Sequence, residues 1–351
     1  MTRRTAVFLG NYILDSLTFR GILYSESGVF MKDNVTISTF ELLSLFPTPE
    51  AARIYIENRR WSNGVSCPTC NSSSRISTRK NGFYRCNHCK DDFTVRTGTI
   101  FERSHIPLNK WLFAMYLVMT ARKGISSLQL SKEIDITQKS AWFMLHRIRE
   151  ACGNDPGKLQ GVVEVDEVYI GGKEGNKHSS KKQNAGRGSV GKQIIMGARE
   201  RNGKVRKGKV ESTDKTEVQG FISKNVLPGS KLFTDDHRSY IGIPNYSHES
   251  VNHTGGEYAR GEAHTNGIES VWAVVKRGIY GVFHHISSKH TERYVDEFSF
   301  RLNDGNVKIA TLDRMDTLLE GSVGSGITYK ELTGEREARS TEHTGRESEN
   351  K

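Results

Sequence analysis

Val162-Val-Glu-Val-Asp166-Glu-Val-Tyr-Ile170 reads as one β-strand of alternating character, with Asp166 at its middle. An acid between Val165 and Val168 in a central strand is costly to bury. A chemical task explains its presence better than a merely satisfied buried carboxyl does. Downstream, Gln193–Arg199 and Val205–Glu211 read as two more strands and Glu217–Val226 as a helix. Lys231-Leu-Phe-Thr-Asp235-Asp236 is a fourth strand ending in paired carboxylates, and Ser250–His253 a fifth. Thr265 to about Arg277 closes the series as a helix bearing Asn266, Glu269 and Lys276.

That order of elements predicts an RNase H-like catalytic domain over residues 161–304. It sets Asp166 on the first strand, Asp235 at the end of the fourth and Glu269 on a following helix, places that lie around one cleft in such a fold. Oxygen donors from separate elements can hold two Mg²⁺ or Mn²⁺ ions about 3.5–4 Å apart, one at the attacking and one at the leaving oxygen. A phosphodiester needs this help because its own negative charge repels nucleophiles. Asp236 is expected to cap the segment His237–Tyr240 and leave the metal-facing place to Asp235. Glu269 and Lys276 share a helix face two turns apart. Lys276 there suits a DNA phosphate, the alternative being a solvated face.

Cys67-Pro-Thr-Cys70 and Cys86-Asn-His-Cys89 form two CxxC knuckles with fifteen residues between them, positions 71–85. This is zinc-ribbon spacing: each knuckle aims two thiolates at one point, and the four sulfurs complete a tetrahedral structural Zn²⁺ site. Ser74–Thr78, Gly82–Arg85 and Phe93–Arg96 supply the short strands of a ribbon over residues 61–99. His88 is expected at the surface, and Cys152 as a partly buried thiol.

Residues 100–153 read as helical. Leu108, Leu112, Met115 and Met119 follow Pro107 at helical spacing, and Gly124 ends that helix. Ser127–Ile134, the turn Asp135-Ile136-Thr137 and a helix to Cys152 have a helix-turn-helix layout. Thr137 would cap the last helix and leave Gln138, Lys139 and Ser140 to meet DNA. An ordinary three-helix unit has the same periodicity; the neighbouring ribbon and the chain's charge favour DNA. That formal net charge is +11 over 351 residues, which favours a polyanionic partner. No apolar run of eighteen residues occurs, so no membrane span is expected. Four of the five cysteines are clustered, unlike a secreted disulfide framework.

Upstream, residues 38–60 form a helical segment, with Phe40, Leu43 and Phe46 recurring every three residues and Thr48 capping a helix over Pro49–Arg59. The stretch 171–192 is a basic, Gly-rich loop with Lys173, Lys177, Lys181, Lys182, Arg187 and Lys192 against Glu174. It is expected to order on DNA beside the cleft, the alternative being a solvated insertion. Trp272 and Tyr280 are expected in the core, and residues 321–351 as a disordered tail. The fold class is α+β or α/β and multidomain: zinc ribbon and helix-turn-helix, then the RNase H-like domain.

Three stretches resemble a known family: Val163-Glu-Val-Asp166-Glu-Val-Tyr-Ile-Gly-Gly-Lys-Glu174, Thr234-Asp-Asp-His-Arg-Ser-Tyr240, and His264-Thr-Asn-Gly-Ile-Glu269-Ser-Val-Trp272 with Lys276-Arg-Gly278. They look like the insertion-sequence DDE transposases related to the Merlin group, with an ISXO-type transposase domain. The likeness extends through the ribbon, from about Ser38 to Asn303. It implies an enzyme that binds terminal inverted repeats on double-stranded DNA, cleaves there, and uses the freed 3′-OH to attack target DNA. Asp166 and Asp235 carry over as the first two ligands of Mg²⁺ or Mn²⁺. Glu269 takes the third place, with Asn266 as the alternative because some members carry Asn. Lys181, Lys182, Arg187, Lys276 and Arg277 join Gln138, Lys139 and Ser140 as DNA contacts. Paired ends imply a homodimer or higher oligomer. The expected location is cytoplasmic and DNA-associated, at the nucleoid in a prokaryote. Residues 1–37 form an extension, and Met31 is the expected start. The alternatives are a catalytically silent DNA-binding regulator, and a nuclease or resolvase without strand transfer.

Overall fold

A computed structural model describes residues 36–153, 157–172, 178–182, 191–251, 260 and 262–334. Within residues 1–35 it describes only the backbone of three two-residue antiparallel strands, β1 (Phe8–Leu9), β2 (Tyr12–Ile13) and β3 (Tyr24–Ser25). The Met31 start therefore lies outside the described residues, as do Lys173, Glu174, Lys177 and Arg187 of the basic loop.

Helix α1 (Thr39–Leu45) opens on a capping box: Ser38 Oγ accepts from the Glu41 N–H, and Glu41 accepts from the Ser38 N–H. The recurrence of Phe40, Leu43 and Phe46 locates this helix but misses its inward face. Leu42 and Phe46 are buried, whereas Phe40 is 84% exposed. Helix α2 (Pro49–Arg60) is capped by Thr48, with Pro49 in the first turn where no intrahelical N–H is needed. Strands β4 (Ile76–Thr78), β5 (Phe83–Cys86) and β6 (Asp92–Thr94) form an antiparallel sheet under the knuckles. Trp61, Tyr84 and Phe93 make its small aromatic core.

Helices α3 (Leu108–Thr120), α4 (Ser127–Glu133) and α5 (Gln138–Ala151) follow. The turn between α4 and α5 holds Asp135 at φ 50°, and Thr137 Oγ1 accepts from the Ser140 N–H to cap α5. Cys152, expected to be partly buried, is buried at 5% exposure.

The five-stranded sheet follows: β7 (Val162–Ile170), β8 (Gln193–Glu200), β9 (Val205–Val210), helix α6 (Lys215–Asn225), β10 (Lys231–Asp235) and β11 (Ser247–Val251). Its spatial order is β11-β10-β7-β8-β9. β7, β8 and β9 pair antiparallel; β10 runs parallel to both β7 and β11. The fifth strand begins three residues earlier than expected, at Ser247, and ends at Val251. One face packs Val163, Val165 and Leu232 against Phe221 and Ile222 of α6. The other packs Val168, Ile170 and Ile195 against Ile268, Val271, Trp272 and Val275 of α7 (Asn266–Gly278), and against Phe298 of α8 (Thr291–Leu302).

The disorder expected from residue 321 does not hold for residues 321–334. Helix α9 (Thr311–Ser322) joins the α1–α5 core through Met315, Leu318 and Leu319. Beyond it, Val323 bridges Thr99, the Gly324 N–H donates to Gly98 O, and a capping box starts α10 (Tyr329–Thr333), where Leu332 is buried. A few apolar anchors, widely spaced among polar residues, order a stretch whose composition alone reads as solvated. Tyr280 is a second correction. It is 62% exposed because it sits on the outer flank of α7's continuation, whereas Trp272 is buried as expected.

Candidate functional site

The two knuckles fold alike. Cys67 and Cys86 each donate their N–H five residues ahead, to Ser72 O and Asp91 O, and accept from Asn71 and Lys90. Asn71 and Lys90 both take positive φ, 57° and 67°, to close the turn. The donor atoms of Cys67, Cys70, Cys86 and Cys89 all lie within 4.8 Å of one another. Cys67 and Cys89 sulfurs are 3.6 Å apart, and those of Cys70 and Cys86 are 3.7 Å apart. A tetrahedron with ~2.3 Å zinc–sulfur arms has edges near ~3.8 Å, so the cluster fits structural zinc. Backbone N–H groups of Cys89 and His88 hold the Cys86 thiol down at about 7. Against a lowering hydrogen bond from Asp91, burial and the neighbouring thiols push Cys89 up to about 12. Four sulfurs this close need a cation to be charged together.

In the sheet, alternation puts Glu164, Asp166 and Val168 of β7 on the α7 face and Glu167 on the opposite one. Glu167 accepts from the buried Tyr240 hydroxyl at 3.0 Å. The β7–β10 register pairs Phe233 with Glu164, and the same offset carries Asp235 to the level of Asp166 one strand away. Neighbouring strands lie ~4.8 Å apart. Asp235 Oδ1 accepts from the His237 N–H, and His237 Nδ1 accepts from Ser239. The cap of the short helix Arg238–Tyr240 is thus His237, not Asp236, which is exposed.

On the β8 side, Asp166 pairs with Gly197. A Cβ on Gly197 would overlap the Trp272 ring and stand 3.0 Å from Ile268 Cδ1, so this glycine admits α7 close against the sheet beside Asp166. Arg199 of β8 donates to Gly267 O at 2.6 Å and Ser270 Oγ at 2.9 Å, which turns that flank of α7 toward β8. Glu269 and Lys276 lie within about 20° of each other on the flank away from β8, and Asn266 lies about 60° away from Glu269. Thr265 Oγ1 donates to Glu269 Oε1 at 2.9 Å.

Burial, then the charges of Glu167, Asp235 and Glu269, push the Asp166 carboxyl up to about 7 against a lowering backbone hydrogen bond. None of these groups is a cation. Among the described residues only the four cysteines form a group of three or more donors within 4.8 Å, so the three carboxylates stand further apart than the sulfurs do. Hard oxygen donors, two of which raise the proton affinity of a third, Asp166, fit divalent metal ions. Glu164 and Gly267 belong to the same site and escape the sequence reading, although Glu164 stands two positions before Asp166 on the same strand face.

The structure places Gln138 and Lys139 at the exposed front of α5, with Ser140 partly buried beside them. Gln138 donates to Ser127 Oγ, and the Lys139 ammonium sits 4.5 Å from the Tyr329 ring centroid. Lys182, Lys276 and Arg277 are exposed; the Lys181 side chain lies outside the described residues.

Residues 158–303 match the ISXO2-like transposase domain and residues 47–92 the transposase zinc-ribbon domain. A Halobacterium salinarum protein, described as an uncharacterized protein in transposable element ISH50, is 27% identical over 250 residues, 67% of this chain and 84% of that protein. A Haemophilus influenzae protein, described as an uncharacterized transposase-like protein, is 30% identical over 105 residues, 29% of this chain and 83% of that protein. Among the described residues no helix is long and apolar enough to cross a membrane.

Proposed function

The chain belongs to the ISXO2-like transposase family, and we propose that it binds the terminal inverted repeats of an insertion sequence, cuts there and joins the freed end to target DNA. The observation that carries this reading is that Asp235 and Glu269 both act electrostatically on the buried Asp166, with Asp235 level with it on the neighbouring strand. In order of appearance the strands lie 3-2-1-4-5, the first three antiparallel and the rest parallel, which supports an RNase H-like fold.

Mg²⁺ or Mn²⁺ held by Asp166, Asp235 and Glu269 would supply charge neutralisation at the phosphate and at its attacking and leaving oxygens. Glu269 is the better third ligand than Asn266: it acts electrostatically on Asp166, and an anionic oxygen binds these ions more strongly than an amide. Lys276, two turns along the same flank, and Arg277 meet the phosphates of the strand being cut. Hydrolysis at the element's end leaves a 3′-OH. That hydroxyl then attacks a target phosphate, exchanging one phosphodiester bond for another. The ribbon and the α4–α5 pair, read as a helix-turn-helix led by Gln138 and Ser140, hold the end. Two ends act together, so a dimer or larger assembly on DNA is expected.

The test uses DNA carrying the inverted repeats that bracket the gene, a labelled target and Mg²⁺. Wild-type protein nicks the ends and yields a joined product. Asp166→Ala binds the same ends within about threefold and gives neither. Nicks without joining would make it a nuclease, and binding without nicks a regulator; either result overturns the transposase reading.

A further inference from the structure

Glu164 is 2% exposed, and its carboxylate has a single setting. Oε2 accepts from the Ile268 N–H at 2.9 Å, in the first turn of α7. Oε1 faces Arg201 and His264 Nδ1, each at 3.4 Å. Arg201 also donates to Glu262 O at 3.0 Å, tying in the chain that leads to the helix. Thr265, at the capping position, makes no side-chain cap. The buried carboxylate therefore does from across the sheet what a local Ser or Asp does at most helix starts, and its charge complements the helix N-terminus. Gly267 completes the fit: a Cβ there would stand 2.5 Å from Glu164 Oε2 and 3.0 Å from Cδ.

We propose that Glu164 is a positioning residue, which sets the first turn of α7 against β7 so that Glu269 reaches the metal ions held by Asp166 and Asp235. The inference rests on the metal-site reading above. Glu164 stands two residues before Asp166 on the same strand face, while its hydrogen bond falls one residue before Glu269. One side chain thus fixes the distance between the two elements that carry the ligands. Glu164 need not touch the ions to do this; it acts through the Ile268 N–H.

The test is Mn²⁺ binding to the full, zinc-loaded chain, followed by electron paramagnetic resonance, with thermal melting as a control for folding. Glu164→Ala is expected to raise the Mn²⁺ dissociation constant at least tenfold while leaving end-DNA affinity unchanged. Glu164→Gln, which keeps an oxygen acceptor for Ile268, changes it by less than threefold. Gly267→Ala gives a second line should Glu164→Ala fail to fold. Alanine is the better helix former, yet it must displace the carboxylate, and it too is expected to weaken Mn²⁺ binding at least fivefold. Asp166→Ala serves as reference and abolishes the binding. Unchanged Mn²⁺ affinity in folded Glu164→Ala or in Gly267→Ala, with Asp166→Ala defective, overturns the positioning role alone. Unchanged affinity in Asp166→Ala removes the metal site and the positioning role with it.

Discussion

Asp166 carries its charge at a cost. Its carboxyl is raised from the usual carboxylate range to about 7 by burial and by Glu167, Asp235 and Glu269. The folded state therefore binds a proton more tightly than the unfolded state, and metal-free stability falls as pH rises from about 4 through 7. Asp166→Asn removes that cost. It should stabilise the metal-free protein by on the order of 1–3 kcal/mol at pH 8 and by nothing near pH 4, measured by denaturant unfolding. A gain that persists at pH 4 would mean the benefit comes from packing. The position of Asp166 was legible because an acid at the middle of a Val-rich strand is costly to bury and breaks the pattern. Glu164 was not, because its partner, the Ile268 N–H, lies 104 residues away and leaves no local signature.

Most elements were legible from periodicity and caps, and most misses have one cause. The strand β7, the knuckles, α2 behind Thr48 and α5 behind Thr137 each announce themselves within a dozen residues. Helices α9 and α10 do not, since their few buried side chains matter only once the α1–α5 core and Gly98 lie beside them. The closeness of α7 to the sheet depends on Gly197 in the same way. Gly197→Ala should cost about 2 kcal/mol, because the new methyl meets Trp272 and Ile268 with no room to move. Gly220→Ala, in helix α6 with nothing within 4 Å, should instead gain up to about 1 kcal/mol. Chemical denaturation of the pair checks the opposite signs; equal small effects would mean that α7 does not depend on this approach.

At the scale of the whole molecule, the helical unit and the sheet are tied through buried charge. Arg149 of α5 donates to Glu297 of α8 at 2.6 Å and lies over the Tyr294 ring, and Arg301 pairs with the same carboxylate. Breaking such a group leaves a buried charge unmatched, so α5, whose front is read as facing DNA, and the sheet should move as one body. Nothing local in the sequence reveals this tie. The proposed chemistry stands on Asp166, Asp235 and Glu269 sharing metal ions. Anomalous diffraction at the manganese edge, from crystals of the full chain soaked in Mn²⁺, tests it most directly. Manganese peaks are expected with Asp166 and Asp235 oxygens about 2.1 Å away and Glu269 in the same coordination sphere. Manganese bound elsewhere, with both aspartates left unliganded, would contradict it.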